Sequence, residues 1–155
     1  GQELEKAVLG QPLYVGDVLP DFEVLTTDLK RVKLSGLLRK GHYTLVELWA
    51  SWCGPCRADI PHLKETYERY HGKGFDMVSI SIDDTDAWLK AVKEEGMAWT
   101  QVCGANGKSY DKECMKLFGT NGVPSCVLVD AEGRVVSTNA RGGWLNEKLA
   151  KLFQE

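Results

Sequence analysis

The sequence predicts an α/β domain in which helices flank a mixed central β-sheet. Two patterns carry this prediction. Apolar runs typical of buried strands alternate with segments whose apolar residues recur every three or four positions, and the chain then finishes with a strand–turn–strand signal and an amphipathic segment. The chain has 155 residues, 43% hydrophobic and 26% charged, which suits one domain with its own core. We expect a leader or linker remnant over residues 1–15 and a single domain over residues 16–155.

The first half of the domain is expected to hold a β-hairpin, a buried strand and a long helix. A turn-like tetrapeptide separates two short strand candidates at 22–25 and 32–34. The run at 43–50 has no clean polar alternation, which is typical of a strand covered on both faces. Residues 55–71 follow with helical spacing, and Pro61 within them should kink the helix because it lacks an N–H.

The second half alternates strands with helices and ends on a hairpin. Asp84 is a good N-cap for a helix that Gly96 would end. The tetrapeptide 130–133 suits the turn of the final hairpin. The predicted strands lie at 75–82, 100–103, 125–129 and 134–137, and the predicted helices lie at 84–94, 110–118 and 144–153.

Charge and composition exclude several classes of function. Lys and Arg total 19 against 22 Asp and Glu, so the net charge is −3 and the basic excess that nucleic-acid binding needs is missing. The sequence has no long apolar run that could span a membrane, and its first residues lack the pattern of a signal peptide. Five cysteines are too few for a disulfide-built scaffold of this length.

Cys53 and Cys56 form a Cys-x-x-Cys motif between the buried strand and the long helix, which is a redox arrangement. Cys53 would occupy the helix N-cap, where the N–H groups of the first turn and the helix dipole favour a thiolate. Pro55 suits the first turn because its missing N–H is not needed there. Cys56, one turn along, is placed to attack a mixed disulfide and release the partner.

Three other roles for a cysteine pair fit the sequence less well. A structural zinc site needs about four ligands, and the chain has neither a second Cys-x-x-Cys nor a spaced His pair. A c-type haem site needs His after the second cysteine, where this chain has Arg57. A merely structural disulfide would gain little stability, because the loop that it closes is very short.

The motif and its surroundings resemble the thioredoxin superfamily. The run Trp52-Cys53-Gly54-Pro55-Cys56 matches the thioredoxin active-site motif, Pro61 matches the proline that kinks the following helix, and Val123-Pro124 resembles the family's cis-proline. The wider pattern, including 16–22, is similar to the thiol–disulfide oxidoreductases of the TlpA/ResA type, which carry a Redoxin-type domain. The resemblance extends over residues 16–153 and implies a thioredoxin fold with an added N-terminal β-hairpin.

The resemblance also implies where such a protein works and on what. It implies an extracytoplasmic bacterial protein of the periplasm or cell envelope, kept reduced by a membrane thiol reductase and acting on disulfides or thiols of proteins. Apocytochrome is one substrate that it implies, through cytochrome c biogenesis. No organic cofactor or metal is expected, because the cysteines are the redox group, and we expect a monomer without a nucleic-acid partner.

Glu47 lies inside the strand that precedes the motif, six residues before Cys53. An ionised carboxylate is costly to bury, so its pKa should rise, and Glu47 could then accept and return the proton of the resolving thiol of Cys56. The resemblance places Glu47 at thioredoxin's buried Asp, but Ser79 stands where thioredoxins carry Lys. The alternative is a Glu near the strand end that reaches solvent.

Asp59, three residues after Cys56, resembles an acidic residue of the ResA-type proteins and is a second candidate for proton handling. The alternative is an acid in the first turn of the helix that only favours the helix dipole.

The segment around Pro124 is expected to bind substrate. A cis Val123-Pro124 bond would turn the Val123 backbone toward the cysteines, where an extended substrate segment could pair with it. An ordinary trans proline is the alternative. Trp52, Gly54 and Pro55 are assigned to the same docking surface, with Trp52 exposed and Trp49 in the core.

The other cysteines leave alternatives open. Cys103 and Cys114 flank a glycine-containing loop, so a second disulfide between them and two separate thiols are equally compatible with the sequence. Cys126, two residues after Pro124, is expected to be a small core residue, and a third redox thiol near the site is the alternative.

We therefore predict a thiol–disulfide oxidoreductase that works as a reductant. A thiol peroxidase of the peroxiredoxin type is an alternative enzyme, but Ala50 stands where that motif has Thr. A non-catalytic adaptor that only uses the groove of the fold is the alternative from another class. The intact Cys-Gly-Pro-Cys at 53–56 argues against the adaptor.

Overall fold

The described part of the protein, residues 12–105, 112–120, 122–138 and 140–155 of a computed structural model, forms a seven-stranded sheet flanked by helices. Two 3₁₀ turns, Leu34–Leu37 and His71–Lys73, follow a strand and a helix. The other elements, in chain order, are β1 (Glu23–Leu25), β2 (Arg31–Lys33), β3 (Tyr43–Trp49), α1 (Gly54–Tyr70), β4 (Phe75–Ser81), α2 (Thr85–Glu95), β5 (Thr100–Gly104), α3 (Lys112–Leu117), β6 (Ser125–Val129), β7 (Val135–Ser137) and α4 (Gly142–Leu152).

The sheet order is β2-β1-β5-β4-β3-β6-β7. The three central strands are parallel, and β3 pairs with β4 along its whole length, from Tyr43 opposite Phe75 to Trp49 opposite Ser81. The hairpin β1–β2 joins one side of this core and the hairpin β6–β7 joins the other, both antiparallel. The mixed sheet and the added N-terminal hairpin that the sequence predicts are therefore confirmed, and so is the thioredoxin-like fold.

Alternate residues of the central strands feed two apolar clusters, as the period of two in a strand requires. Val46 and Val78 belong to a first cluster that includes side chains of α2 and α3. Leu45 and Met77 belong to a second cluster that includes side chains of α1 and α4. Because both faces of β3 are covered, its apolar run shows no clean alternation, which is what the sequence indicated.

The observed elements begin and end close to the predicted bounds, with two additions. A 3₁₀ turn follows β2, and the segment before β1 runs beside β7: Val18 pairs with Arg134, and Val135 N–H donates to Asp17 O at 2.8 Å. Residues 1–11, most of the expected leader, and the start of the helix expected at 110–118 lie outside the described residues. In the described ranges, no helix combines the length and apolar character needed to cross a membrane.

Candidate active site

The cysteine pair lies where β3 passes into α1. Cys53 is the N-cap residue of α1, and its Sγ accepts a hydrogen bond from the Cys56 N–H at 3.2 Å. The two residues form a disulfide with Cα atoms 5.2 Å apart, and Pro55 lies in the first turn of the helix. The N-cap geometry predicted from the sequence is confirmed. A sulfur anion at Cys53 would be stabilised by this N–H and by the helix dipole.

A cis peptide bond joins Val123 to Pro124 next to this pair. The Val123 carbonyl oxygen lies 3.8 Å from Cys53 Sγ, just before β6 begins at Ser125. The expected cis bond is confirmed, and the trans alternative is wrong. The backbone before β6 thus lies against the sulfur, close enough for a substrate segment to contact both.

The loop that carries Cys53 is held by a buried carboxylate that sequence reasoning missed. Asp83, two residues after the end of β4, accepts hydrogen bonds from Ser51 N–H at 2.8 Å, from Ser51 Oγ at 2.7 Å and from Ser81 Oγ at 2.6 Å. Arg57 Nε donates to Ser51 O at 2.8 Å. The signal was available, because the carboxyl ends of parallel β3 and β4 meet at one edge of the sheet, and Ser51 and Asp83 follow those ends.

Glu47 is buried in the middle of β3, with 2% of its surface exposed. It lies opposite Ser79 in the parallel pairing, and Ser79 Oγ donates to Glu47 Oε1 at 2.8 Å. Burial raises the pKa of Glu47 from 4.5 to about 7, against the opposing effect of the Ser79 hydrogen bond. The predicted rise in pKa is therefore found, and the alternative of a solvent-reaching Glu is wrong.

Asp59 lies in the second turn of α1, so the alternative of a first-turn acid is wrong. Its Oδ2 accepts a hydrogen bond from Arg141 Nε at 2.6 Å in a partly exposed ion pair. Both charges act on Glu47: the Asp59 carboxylate raises the pKa of Glu47 and the Arg141 guanidinium lowers it. Arg141 was missed from the sequence, where a lone basic residue before a glycine pair gives no signal.

Cys126 is the cross-strand partner of Glu47 on β6 and is buried. Burial, with a smaller effect from Glu47, raises the pKa of the Cys126 thiol, which keeps the thiol protonated. This favours a small core residue over a third redox thiol. Cys103 and Cys114 are both buried in the first cluster. Counting disulfides by intact mass before and after mild reduction separates the two alternatives for that pair.

Two tryptophans of the described residues, Trp52 and Trp144, are exposed. Trp52 has 54% of its surface exposed next to Cys53, whereas Trp49 is buried, and both match the prediction. Trp144, which was not predicted, is 66% exposed and lines an open cleft of about 400 Å³ together with Arg141 and Glu147. Within the described ranges, no cluster of His, Cys, Asp and Glu side chains is arranged to hold a metal ion.

A thioredoxin fold that carries a Cys-x-x-Cys disulfide at a helix N-cap beside a cis-proline defines the class of this protein, the thiol–disulfide oxidoreductases. The Redoxin family model matches residues 14–144, and the chain belongs to that family, within the thioredoxin superfamily.

Two curated relatives and one solved structure that the chain resembles carry this activity in their names. It is 38% identical over 126 residues to the thiol-disulfide oxidoreductase ResA of Oceanobacillus iheyensis, covering 78% of this chain and 62% of that protein. It is 30% identical over 130 residues to ResA of Bacillus thuringiensis, covering 81% and 69%. The crystal structure of the thioredoxin domain of a thiol-disulfide oxidoreductase from Bacteroides vulgatus superposes with a TM-score of 0.79 at 31% identity, covering 91% of this chain and 99% of that one.

Proposed function

We propose that the protein reduces disulfides of protein substrates in the bacterial cell envelope, with Cys53 as the attacking sulfur and Cys56 as the resolving one. The observation that carries this proposal is the position of Cys53 Sγ, which accepts the Cys56 N–H at the N-cap of α1. That position favours a thiolate on Cys53 in the reduced protein.

The chemistry is a pair of thiol–disulfide exchanges that together move two electrons. The Cys53 thiolate attacks one sulfur of the substrate disulfide, forms a mixed disulfide and expels the other sulfur as a thiolate. The Cys56 thiol then loses its proton and attacks Cys53 Sγ, which closes the Cys53–Cys56 disulfide and expels the second substrate thiolate. The substrate leaves as two reduced sulfurs, and the protein is oxidised.

Glu47 is the proposed acceptor of the Cys56 proton. Its pKa of about 7 leaves it partly ionised near neutral pH, so it can take up a proton and release it in the same cycle. Asp59 adjusts Glu47 through its charge, and since Arg141 pairs with it, we assign it an electrostatic role. Glu47 then passes this proton to a departing substrate thiolate, so that the protons of the cycle balance.

The docking surface in this proposal combines the apolar face of Trp52 with the backbone around the cis-proline. An extended substrate segment would pair with the Val123 backbone and would contact Gly54 and Pro55 beside the sulfur. Such main-chain pairing reads shape more than sequence, which suits a protein with several substrates. Space is available at Gly54, because a Cβ built there would contact nothing within 4 Å.

The proposed cycle runs in the reducing direction and takes place in the cell envelope. Each cycle leaves the protein oxidised, so an electron donor must return two electrons, and a membrane thiol reductase would fill that role. Apocytochrome is a candidate substrate. A redox titration against glutathione tests the direction: we expect a potential near that of thioredoxin, about −270 mV, whereas a value near about −120 mV would indicate an oxidant.

A trapping experiment tests the assignment of the two sulfurs. Reduced Cys56→Ser protein is mixed with insulin, a disulfide-bonded test protein, and is expected to accumulate a mixed disulfide through Cys53. Cys53→Ser is the matched control and should trap none, and the unmodified protein should release reduced insulin. Equal trapping by both variants, or none by either, would contradict the assignment.

A further inference from the structure

Three buried side chains on one face of the sheet form a directed hydrogen-bond chain that ends on Glu47. Trp99 Nε1 donates to Ser79 Oγ at 2.8 Å, and Ser79 Oγ donates to Glu47 Oε1 at 2.8 Å. Trp99 has 5% of its surface exposed, Ser79 none and Glu47 2%. This hydrogen-bond chain is therefore excluded from water, in surroundings where each hydrogen bond is strong and its loss is costly.

The chemistry of the three groups fixes the direction of the chain. An indole N–H can only donate, so Ser79 Oγ must accept from Trp99. An ionised carboxylate can only accept, so in the charged form of Glu47 the one hydroxyl proton of Ser79 is donated to Oε1. A hydroxyl that already accepts a hydrogen bond is polarised and donates more strongly. In this charged form Oε1 accepts the hydrogen bond from Ser79.

We propose that Trp99 is a positioning residue that acts on Glu47 through Ser79: the indole N–H fixes the Ser79 hydroxyl as a donor to Oε1 and thereby favours the charged carboxylate. The proposal deepens the proton-handling role of Glu47 and rests on that proposed function for its relevance to exchange. Neither Ser79 nor Trp99 touches the sulfurs in this account, and both work through the carboxylate.

Other groups also act on Glu47, from the elements packed around β3. Cys126 faces it from β6, but its thiol is protonated and carries no charge. Asp59 on α1 and Arg141 before α4 have opposite effects on the pKa of Glu47 and are paired with each other. Ser79 is thus the direct hydrogen-bond donor that offsets part of the cost of burying the carboxylate.

The test compares Ser79→Ala, Trp99→Phe and the double variant. The chain offers a matched control in Trp88, which is also fully buried but whose Nε1 has no hydrogen-bond partner among the described residues. Trp88→Phe makes the same change of side chain without breaking a hydrogen bond. The readout is the titration of Glu47 in the oxidised protein, followed by the NMR of ¹³C-labelled glutamate carboxyls and assigned with Glu47→Gln.

A hydrogen bond to a charged group is lost in Ser79→Ala, so the midpoint of Glu47 should rise by about one to two pH units. Trp99→Phe should raise it by a smaller amount, and Trp88→Phe should leave it unchanged. In the double variant the Trp99 substitution should add nothing, because its effect passes through Ser79. Thermal unfolding of each variant identifies any that fails to fold, and Ser79→Ala, which removes one oxygen, remains informative if Trp99→Phe does not fold.

The proposal would be overturned if folded Trp99→Phe left the Glu47 midpoint unchanged. It would also be overturned if Trp99→Phe raised that midpoint equally in the presence of Ser79 and in the Ser79→Ala background. An unchanged midpoint in Ser79→Ala would do the same. Failure of the proposed function is seen separately: if Glu47→Gln exchanges thiols at the unaltered rate while the two substitutions still move the titration, the positioning chain is upheld and the catalytic role of Glu47 is lost.

Discussion

Glu47→Gln removes the buried carboxyl of Glu47. The stability of this variant, measured relative to the unmodified protein, should be greater at alkaline pH than at acid pH. At pH values below about 4.5 the carboxyl is protonated in both the folded and the unfolded chain, and burial then carries no charge penalty. As the pH rises from 4.5 to about 7, the unfolded chain loses the proton while the folded protein keeps it, so the free energy of unfolding falls. Above about pH 7 the penalty is constant.

The size of the effect follows from the two pKa values. The gap between 4.5 and about 7 corresponds to about 3 kcal/mol, since each pH unit is about 1.4 kcal/mol. The stability of Glu47→Gln minus that of the unmodified protein should therefore rise by about 3 kcal/mol between pH 4 and pH 8. Any fixed cost of burying the amide is independent of pH and cancels from this rise.

The assay is urea unfolding of both oxidised proteins across that pH range, so that the Cys53–Cys56 thiols do not titrate. Glu65→Gln, which removes an exposed carboxyl from the outer face of α1, controls for the loss of one acid from the chain. A difference between Glu47→Gln and the unmodified protein that stays flat with pH would refute the reasoning, because burial would then not hold the proton on Glu47.

The charges around the site and the loop before it give further expectations. Asp59→Asn should lower the pKa of Glu47 and Arg141→Gln should raise it, since the two charges act in opposite directions; carboxyl ¹³C titration checks this, and shifts of the same sign would contradict it. Asp83→Asn should cost roughly 1.5–3 kcal/mol of stability, because an amide cannot accept every hydrogen bond that Ser51 and its neighbours donate to the carboxylate. Urea unfolding measures that loss, and a variant of unaltered stability would show that Asp83 does not hold the loop.

The parts of the site that the sequence predicts are those that local rules determine. Cys53 as an N-cap and Pro55 in the first turn follow from the motif itself, and the burial of Glu47 follows from the apolar run around it. The cis bond before Pro124 was predicted from the family resemblance, because a proline alone is compatible with either isomer.

The parts that escaped prediction depend on side chains that are far apart in the sequence. Arg141 meets Asp59 across 82 positions, and Trp99 reaches Ser79 across 20. Neither pair has a local pattern, because each exists only once helices and strands have packed together. The 3₁₀ turn at Leu34–Leu37 is too short to show helical periodicity, so it was also missed.

The arrangement of the outer strands bears on how the protein behaves at high concentration. The outermost strands, β2 and β7, are only three residues each, and the segment through Asp17 and Val18 already occupies hydrogen-bonding groups beside β7. Long, exposed edge strands can pair with other chains and cause aggregation, whereas short or covered edge strands resist this pairing. The short and partly covered edges of this sheet therefore disfavour edge-to-edge association of protein molecules at high concentration.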